Sequence, residues 1–528
     1  MSLISRHSPT GTERGDFKRL GGDPGIAIQL RGIRKVFPPQ TVACDGVDLD
    51  IRQNEVLALL GENGAGKTTL MSILSGLVRP TAGSIAIAGR PVEITNPRVA
   101  LRHGIGMVHQ HFLLVPPLTV AENIGLGREP GRVLVDRRRL TADVAEVSRR
   151  FGLDLDPHRH VSQLSVGMQQ RVEIVKALYA GATVLILDEP TSVLTPQEAD
   201  RLFQVIRDLA RAGRSVVFIS HKLREVREIA DRIVVLRQGK VVAEVLPDTS
   251  EAELASLMVG RPVLLQVERP PAQPGEVALR LENVEADGRP GLRGVSFEVR
   301  RGEIFGIAGV DGNGQAELEE VLTGLRPVRQ GSILLEGRPT GGCGPRRLRE
   351  LGLAHIPSDR ARWGLVGEAS LAENLALADY HRSPFSKRGL MRRQALERVA
   401  SEQIGRFDIR ASDAWQPAAA LSGGNQQKLV IAREVSRRAR VLVAAQPTRG
   451  IDVGATEFVH RQLIRLRSEG TAVVLISADL DEVLGLSDRV GVFFEGRLLG
   501  ITRPEDRERI ALWMAGVEAG PEAAPGVR

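Results

Sequence analysis

Cysteine is nearly absent: Cys44 and Cys343 are the only two in 528 residues. That is too few, and too scattered, for a disulfide framework or a zinc site, and it fits a reducing compartment. Aromatic residues make up 3% of the chain, which leaves no interleaved set on which nucleic-acid bases could stack. The surplus of 71 basic over 64 acidic residues gives a net charge of +7. It is mostly arginine spread along the whole length, with short clusters such as Arg137-Arg138-Arg139, and reads as solvated surface with no nucleic-acid partner. No run approaches the roughly 18 uninterrupted apolar residues that a membrane helix needs. Residues 1–25 mix Ser, Gly, Arg and Pro without an apolar segment of signal-peptide length. A cytosolic chain that does not span a membrane is expected, with a disordered arm at 1–25 and a loose tail at 519–528.

What the chain does contain is one pattern written twice. Gly61-Glu62-Asn63-Gly64-Ala65-Gly66-Lys67-Thr68 follows the apolar run Val56 to Leu60 and opens a helix-like stretch from Thr69 to Leu77, which is the phosphate-loop pattern. The second copy, Gly309-Val310-Asp311-Gly312-Asn313-Gly314-Gln315-Ala316, keeps the glycines and loses the lysine and threonine. The offset is 248 residues at Gly61/Gly309 and 257 at both Ser165/Ser422 and Pro190/Pro447, so nine extra residues enter between the first two landmarks. A period this long marks a duplicated domain, since solenoid units repeat every 20–50 residues or so. The repeats predict two domains, 26–262 and 277–518. Between them 263–276 forms a linker whose segment Arg269 to Gly275 is proline-rich and semi-rigid.

In a phosphate loop, glycines free successive backbone N–H groups to surround phosphate oxygens at a helix N-terminus. Lys67 then neutralises β- and γ-phosphate charge, Thr68 ligates Mg²⁺, and Thr69 continues the cradle. Val184 to Leu187 is an apolar run of buried-strand type ending in Asp188-Glu189. Two carboxylates thus arrive at a strand's C-terminal end, where open α/β sheets hold their ligands: Asp188 for the Mg²⁺ shell, Glu189 to polarise the attacking water. A third strand, Ser215 to Ile219, brings His221 to the same edge to sense the γ-phosphate. Gln110, after Gly104 to Val108, reaches for metal or water. Phe37, after the strand-like Ile26 to Val36, either stacks on adenine or belongs to the core.

Leu164-Ser165-Val166-Gly167-Met168-Gln169-Gln170 and Leu421-Ser422-Gly423-Gly424-Asn425-Gln426-Gln427 each precede an apolar-periodic helix. Taken in order, the phosphate loop, Gln110, the Ser165 motif, Asp188-Glu189 and His221 resemble the ATP-binding-cassette (ABC) ATPases over residues 26–518. The resemblance implies an α/β fold of two tandem ATPase domains, each with a mixed or parallel core sheet, an antiparallel β part and a helical subdomain. It also implies ATP and Mg²⁺ as cofactors and a head-to-tail pair, each nucleotide held by one domain's loop and the other's signature. Lys67, Thr68, Gln110, Asp188, Glu189 and His221 would then work with Ser422, Gly423 and Gly424. The opposite site would join Gln315, Ala316, Ser358, Ala445, Gln446 and Ala478 to Ser165, Val166 and Gly167. There every charged or metal-binding role is lost, and negligible hydrolysis is expected.

Tandem cassettes with a degraded second half are similar to the ATPase subunit of simple-sugar importers. Such subunits partner two membrane permeases and, indirectly, an extracellular or periplasmic solute-binding protein, and sit at the cytoplasmic face of the membrane. The segment Ala444 to Ala455 is similar to the nucleoside-uptake branch. Two other readings remain: a translation-factor ATPase, disfavoured by the short proline-rich linker, and a regulatory module that binds ATP without turnover, disfavoured by Lys67, Asp188 and Glu189.

Overall fold

The computed structural model describes residues 25–38, 41–109, 112–131, 135–191, 194, 196–263, 269–437 and 439–517. The chain divides into two units, Met1–Pro262 and Val263–Arg528. In unit 1, strands β1 (Ile26–Phe37), β2 (Thr41–Arg52), β4 (Ala82–Ile87) and β5 (Arg90–Pro91) form an antiparallel sheet in the order β2-β1-β4-β5. The core sheet takes β3 (Val56–Leu60), β6 (Ile105–Val108), β7 (Val184–Asp188), β8 (Ser215–Ser220), β9 (Arg232–Arg237) and β10 (Lys240–Val245) in the order β10-β9-β3-β8-β7-β6. Five of these strands are parallel, and only β10 pairs antiparallel, with β9. Every residue of β3, β7 and β8 is buried, as expected for parallel strands covered on both faces, which read as apolar runs rather than alternations.

Unit 2 repeats this plan. Strands β11 (Val277–Ala286), β12 (Leu292–Arg300), β14 (Gln330–Leu335) and β15 (Arg338–Pro339) make the antiparallel sheet. The core sheet runs β16-β19-β20-β13-β21-β22, from β13 (Ile304–Ala308), β16 (Leu353–Ile356), β19 (Val441–Ala445), β20 (Ala472–Ile476), β21 (Arg489–Phe494) and β22 (Arg497–Thr502). A short hairpin, β17 (Ser386–Lys387) with β18 (Leu390–Met391), has no counterpart among the described strands of unit 1.

The nine extra residues of the second copy fall in the helical part. The offset stays at 248 from β6 to β16, becomes 251 at the helix pair Val120–Gly125 and Leu371–Ala376, and reaches 256 at Arg137–Arg150 and Arg393–Arg406. The β17–β18 hairpin accounts for the larger step. Core strands cannot absorb insertions without a register slip, whereas surface connections can.

Two details differ from the sequence reading. The helix after the first phosphate loop is Lys67–Leu74, starting two residues earlier and ending three earlier than the apolar pattern suggested. Gly76, at φ +75 with Asn96 backbone 2.5 Å from where a Cβ would lie, stops it. The described part of the proline-rich segment is tied to unit 2: Arg269 donates to the Ser487 carbonyl, Arg467 donates to the Pro270 carbonyl, and the Gly275 N–H donates to the Arg301 carbonyl at 2.9 Å. No helix among the described residues is long and apolar enough to cross a membrane.

Candidate nucleotide site

The loop Gly61–Gly66 joins the C-terminal end of β3, at the middle of the core sheet, to the helix Lys67–Leu74. Gly66 caps that helix at φ 102 with no side-chain cap, leaving the position open to an anion. A Cβ on Gly66 would come within 2.2 Å of the Ala43 carbonyl oxygen, and one on Gly61 within 2.4 Å of that of Leu236. Both glycines are therefore fixed by the backbones pressing on the loop as well as by its shape. The Lys67 ammonium, 6% exposed, folds back to donate to the carbonyls of Gly61 at 2.6 Å and Glu62 at 3.0 Å. It spans the cradle that Glu62, Asn63, Gly64 and Ala65 complete, with Thr68 and Thr69 in the first turn.

Asp188 ends β7, beside β8 and one strand removed from β3. Its carboxyl is pushed up by burial and by the charge of Glu189, against the opposing Thr68 hydrogen bond and the charges of Lys67 and His109. A carboxylate so placed fits a cation, which would relieve both causes at once. At Glu189 burial also raises the pKa, but the His221 hydrogen bond and the charges of His221, Lys67 and Lys222 outweigh it, leaving the group below its ordinary value. Glu189 Oε1 lies 2.9 Å from His221 Nδ1. An ionised carboxylate held by an imidazole at a strand edge is equipped to accept a proton from water.

Glu189 sits at φ +46, left-handed for a residue with a side chain, and Gln446 sits at φ +44. Its N–H donates to the Ile219 carbonyl at 3.0 Å, as that of Gln446 does to Ile476 at 2.7 Å. The strain belongs to the turn between neighbouring strands, since it persists where the carboxylate does not.

Ser165 caps the helix Val166–Tyr179 and Ser422 caps Gly423–Val435, each hydroxyl accepting the N–H three residues on. Both serines are exposed. Phe37 ends β1 at 36% exposure with the Lys35 ammonium 5.0 Å from its ring centre, so it lies outside the core and presents an aromatic face. Gln110 falls outside the described residues.

Four partners went unnoticed in the sequence. Gln170 donates to the Pro190 carbonyl at 2.8 Å, and Gln427 to that of Pro447 at 2.7 Å, tying each signature helix to the turn after its acidic or amide position. Thr191 donates to Glu225 at 2.5 Å and Thr448 to Glu482 at 2.9 Å. Their occurrence at equal places in both copies was the available signal.

In unit 2 the loop is filled from within. Gly314 caps the helix Gln315–Leu322 at φ 110, as Gly66 does in unit 1. Gln315, 5% exposed, accepts the Asn313 N–H at 3.2 Å through its own amide oxygen, taking a loop donor. The Gln446 amide oxygen accepts the N–H of Ala478 at 3.2 Å, where unit 1 has the Glu189–His221 pair.

The ABC transporter family model matches residues 44–192 and 292–449, once in each unit. The chain belongs to the ABC transporter family. It is 47% identical over 496 residues to the guanosine import ATP-binding protein NupO of Bacillus subtilis, covering 93% of this chain and 97% of that one. The nucleoside import ATP-binding protein NupA of Lactococcus lactis is 46% identical, with 93% and 98% covered. The ribose import ATP-binding protein RbsA 1 of Rubrobacter xylanophilus is also 46% identical, with 94% and 99% covered. Among solved structures, an archaeal ribosome recycling factor in complex with a ribosomal stalk protein aligns with TM-score 0.61 at 21% identity, covering 92% of each chain. This ABC protein shares its tandem fold with that factor.

Proposed function

We propose that this chain is the ATP-hydrolysing subunit of a nucleoside importer, with turnover confined to the loop of unit 1. The observation that carries the reading is the contrast between Glu189 paired with His221 and Gln446 bonded to the backbone of Ala478. Curated relatives 47% and 46% identical over nearly the whole chain are named for guanosine and nucleoside import. Ribose and glucose import proteins follow at 46% and 45%. The segment Ala444-Ala445-Gln446 resembles the nucleoside-uptake branch, whereas the sugar branch usually keeps an Asp-Glu pair there.

In this reading Lys67 and the loop amides hold the phosphates, and Phe37 stacks on the base. Glu189 orients water and takes its proton, and His221 keeps Glu189 ionised and faces the γ-phosphate. Thr68, Asp188 and Gln110 are the residues that would hold Mg²⁺, which would neutralise phosphate charge. Ser422, Gly423 and Gly424 complete the site from the second signature. Two permeases anchor the chain at the cytoplasmic face of the membrane, with a solute-binding protein supplying the solute from outside. Closure on ATP and reopening after hydrolysis drive the permeases between access states.

The deciding experiment is Ser422→Ala with Gly423→Asp, which touches only unit 2. Hydrolysis is abolished if the signature completes the site, and retained hydrolysis sinks that reading. A ligand screen on the cognate solute-binding protein separates nucleosides from sugars.

A further inference from the structure

The second phosphate loop has lost the lysine and threonine, yet it keeps its shape and its backbone donors. Gly314 opens the helix Gln315–Leu322 at φ 110 with no side-chain cap, matching Gly66 at φ 102. Gly312, at φ +90, has open space where a Cβ would lie, as Gly64 has at φ +81. The turn closes alike in both copies: the Asn313 N–H donates to the Val310 carbonyl at 3.2 Å, and the Ala65 N–H to that of Glu62 at 3.1 Å. The donor that Gln315 takes up, the Asn313 N–H, is therefore one that turns into the loop even in unit 1. Among the described residues the N–H groups of Gln315 and Ala316 meet no acceptor, as holds for the first turn of an uncapped helix.

A second observation points to a ligand. The Gln315 side chain, 5% exposed, lies across the loop: its oxygen holds the Asn313 N–H, and its nitrogen rests 2.6 Å from where a Cβ on Gly309 would lie. That nitrogen is buried with no hydrogen-bond partner, a costly state that an acceptor in the loop would relieve. The charges around the loop have changed as well. In unit 1 the carboxylates of Asp188 and Glu189 stand at the same sheet edge and repel a phosphate that arrives without a cation. The matching places in unit 2 hold Ala445, which is fully buried, and Gln446, whose amide oxygen accepts from Ala478. Within the helix, Glu317 accepts the Arg289 N–H at 3.3 Å, and Glu319 is engaged by His355 at 2.9 Å and by the Ser358 N–H at 3.1 Å. Asp311, exposed in the loop, is the acid that still opposes an anion.

We propose that the loop Gly309–Gly314 is a metal-independent phosphate site, holding a phosphoryl group on the first-turn amides of the helix and the Gln315 carboxamide. The group is the terminal phosphate of a nucleotide or free inorganic phosphate. Neutral donors converging at a helix N-terminus bind an oxyanion without a cation, and with neither a base nor a metal ligand beside it the group is bound and not cleaved. The site lies wholly within unit 2, so it stands or falls apart from the assignment of turnover to unit 1.

The test uses the full-length chain carrying Lys67→Ala, which removes the cation from the loop of unit 1, titrated calorimetrically with inorganic phosphate, ADP and ATP, first in EDTA and then with Mg²⁺. One ligand per chain should bind in EDTA, with a Kd that Mg²⁺ changes by no more than about threefold. Nucleotides binding about tenfold or more tighter than phosphate assign the site to a nucleotide, and equal affinities assign it to the free anion. Gln315→Glu keeps an acceptor for Asn313 and puts a negative oxygen in place of the unpartnered donor. Ala316→Asp places a carboxylate at an exposed first-turn position, where it favours the helix but repels an anion. Each should weaken binding by about tenfold or more, while Ala316→Asp melts no lower than its parent; Asp311→Asn should tighten binding. Binding that needs Mg²⁺, no binding of any of the three ligands, or undiminished binding by both Gln315→Glu and Ala316→Asp overturns the proposal.

Discussion

At Glu189 and Gln446 one strained turn carries two chemistries, and the difference is a single atom pair: carboxylate against imidazole in unit 1, amide against backbone N–H in unit 2. Glu189→Gln should therefore bind ATP but lower hydrolysis by two or more orders of magnitude, read as phosphate release against retained nucleotide, whereas Gln446→Glu should leave the rate nearly unchanged. Equal losses from Glu189→Gln and Gln446→Ala would refute a single working loop. The same pair sets a pH dependence. Because the folded-state pKa of Glu189 is depressed, its ionised form adds stability above the ordinary carboxylate value, and that stability is lost as pH falls through the lower, folded value. Thermal melts of the parent and Glu189→Gln should differ at neutral pH and converge in acid, below about pH 4. Asp188 has the opposite sign. Its raised pKa means that the charged form destabilises the fold at neutral pH, so Asp188→Asn without Mg²⁺ and ATP should melt higher than the parent. A lower melting temperature would show that Asp188 is already compensated.

At the scale of elements, the signatures are helix caps before they are anything else. Ser165 and Ser422 occupy the same place at the start of matched helices, so alanine at either should cost about 1 kcal/mol of stability. On the function proposed above, only Ser422→Ala should also lose hydrolysis. Comparable rate losses from both caps would show that the two signatures are functionally equal. Chemical denaturation and ATP turnover on the two variants separate the contributions. Element existence was readable from pattern: the apolar runs at Val56, Val184 and Ser215 are all strands, because a strand buried on both faces must be apolar throughout. Helix limits were less readable. The apolar pattern from Thr69 runs on to Leu77, but the close approach of Asn96 at Gly76 ends the helix earlier, and such an approach is a tertiary fact.

For the whole molecule, each unit has its own buried clusters, so calorimetry should resolve two unfolding steps. In the Glu189→Gln background, ATP with Mg²⁺ at about a hundredfold over Kd should add about 2.7 kcal/mol to one step, and Lys67→Ala should abolish the gain. The sequence by itself determined the duplication, the loss of Lys and Thr from the second loop, the Asp188-Glu189 and Ser422 motifs and hence the family. These are local strings, and local strings survive without knowledge of which strands are neighbours. Tertiary structure decided what those strings touch: Thr68 with Asp188, His221 with Glu189, and Gln170 with the Pro190 carbonyl. The Thr68–Asp188 and His221–Glu189 pairs depend on the order β3-β8-β7 in the core sheet of unit 1. Strand order of that kind is set by packing and crossover handedness over many residues, and no single stretch of the chain encodes it.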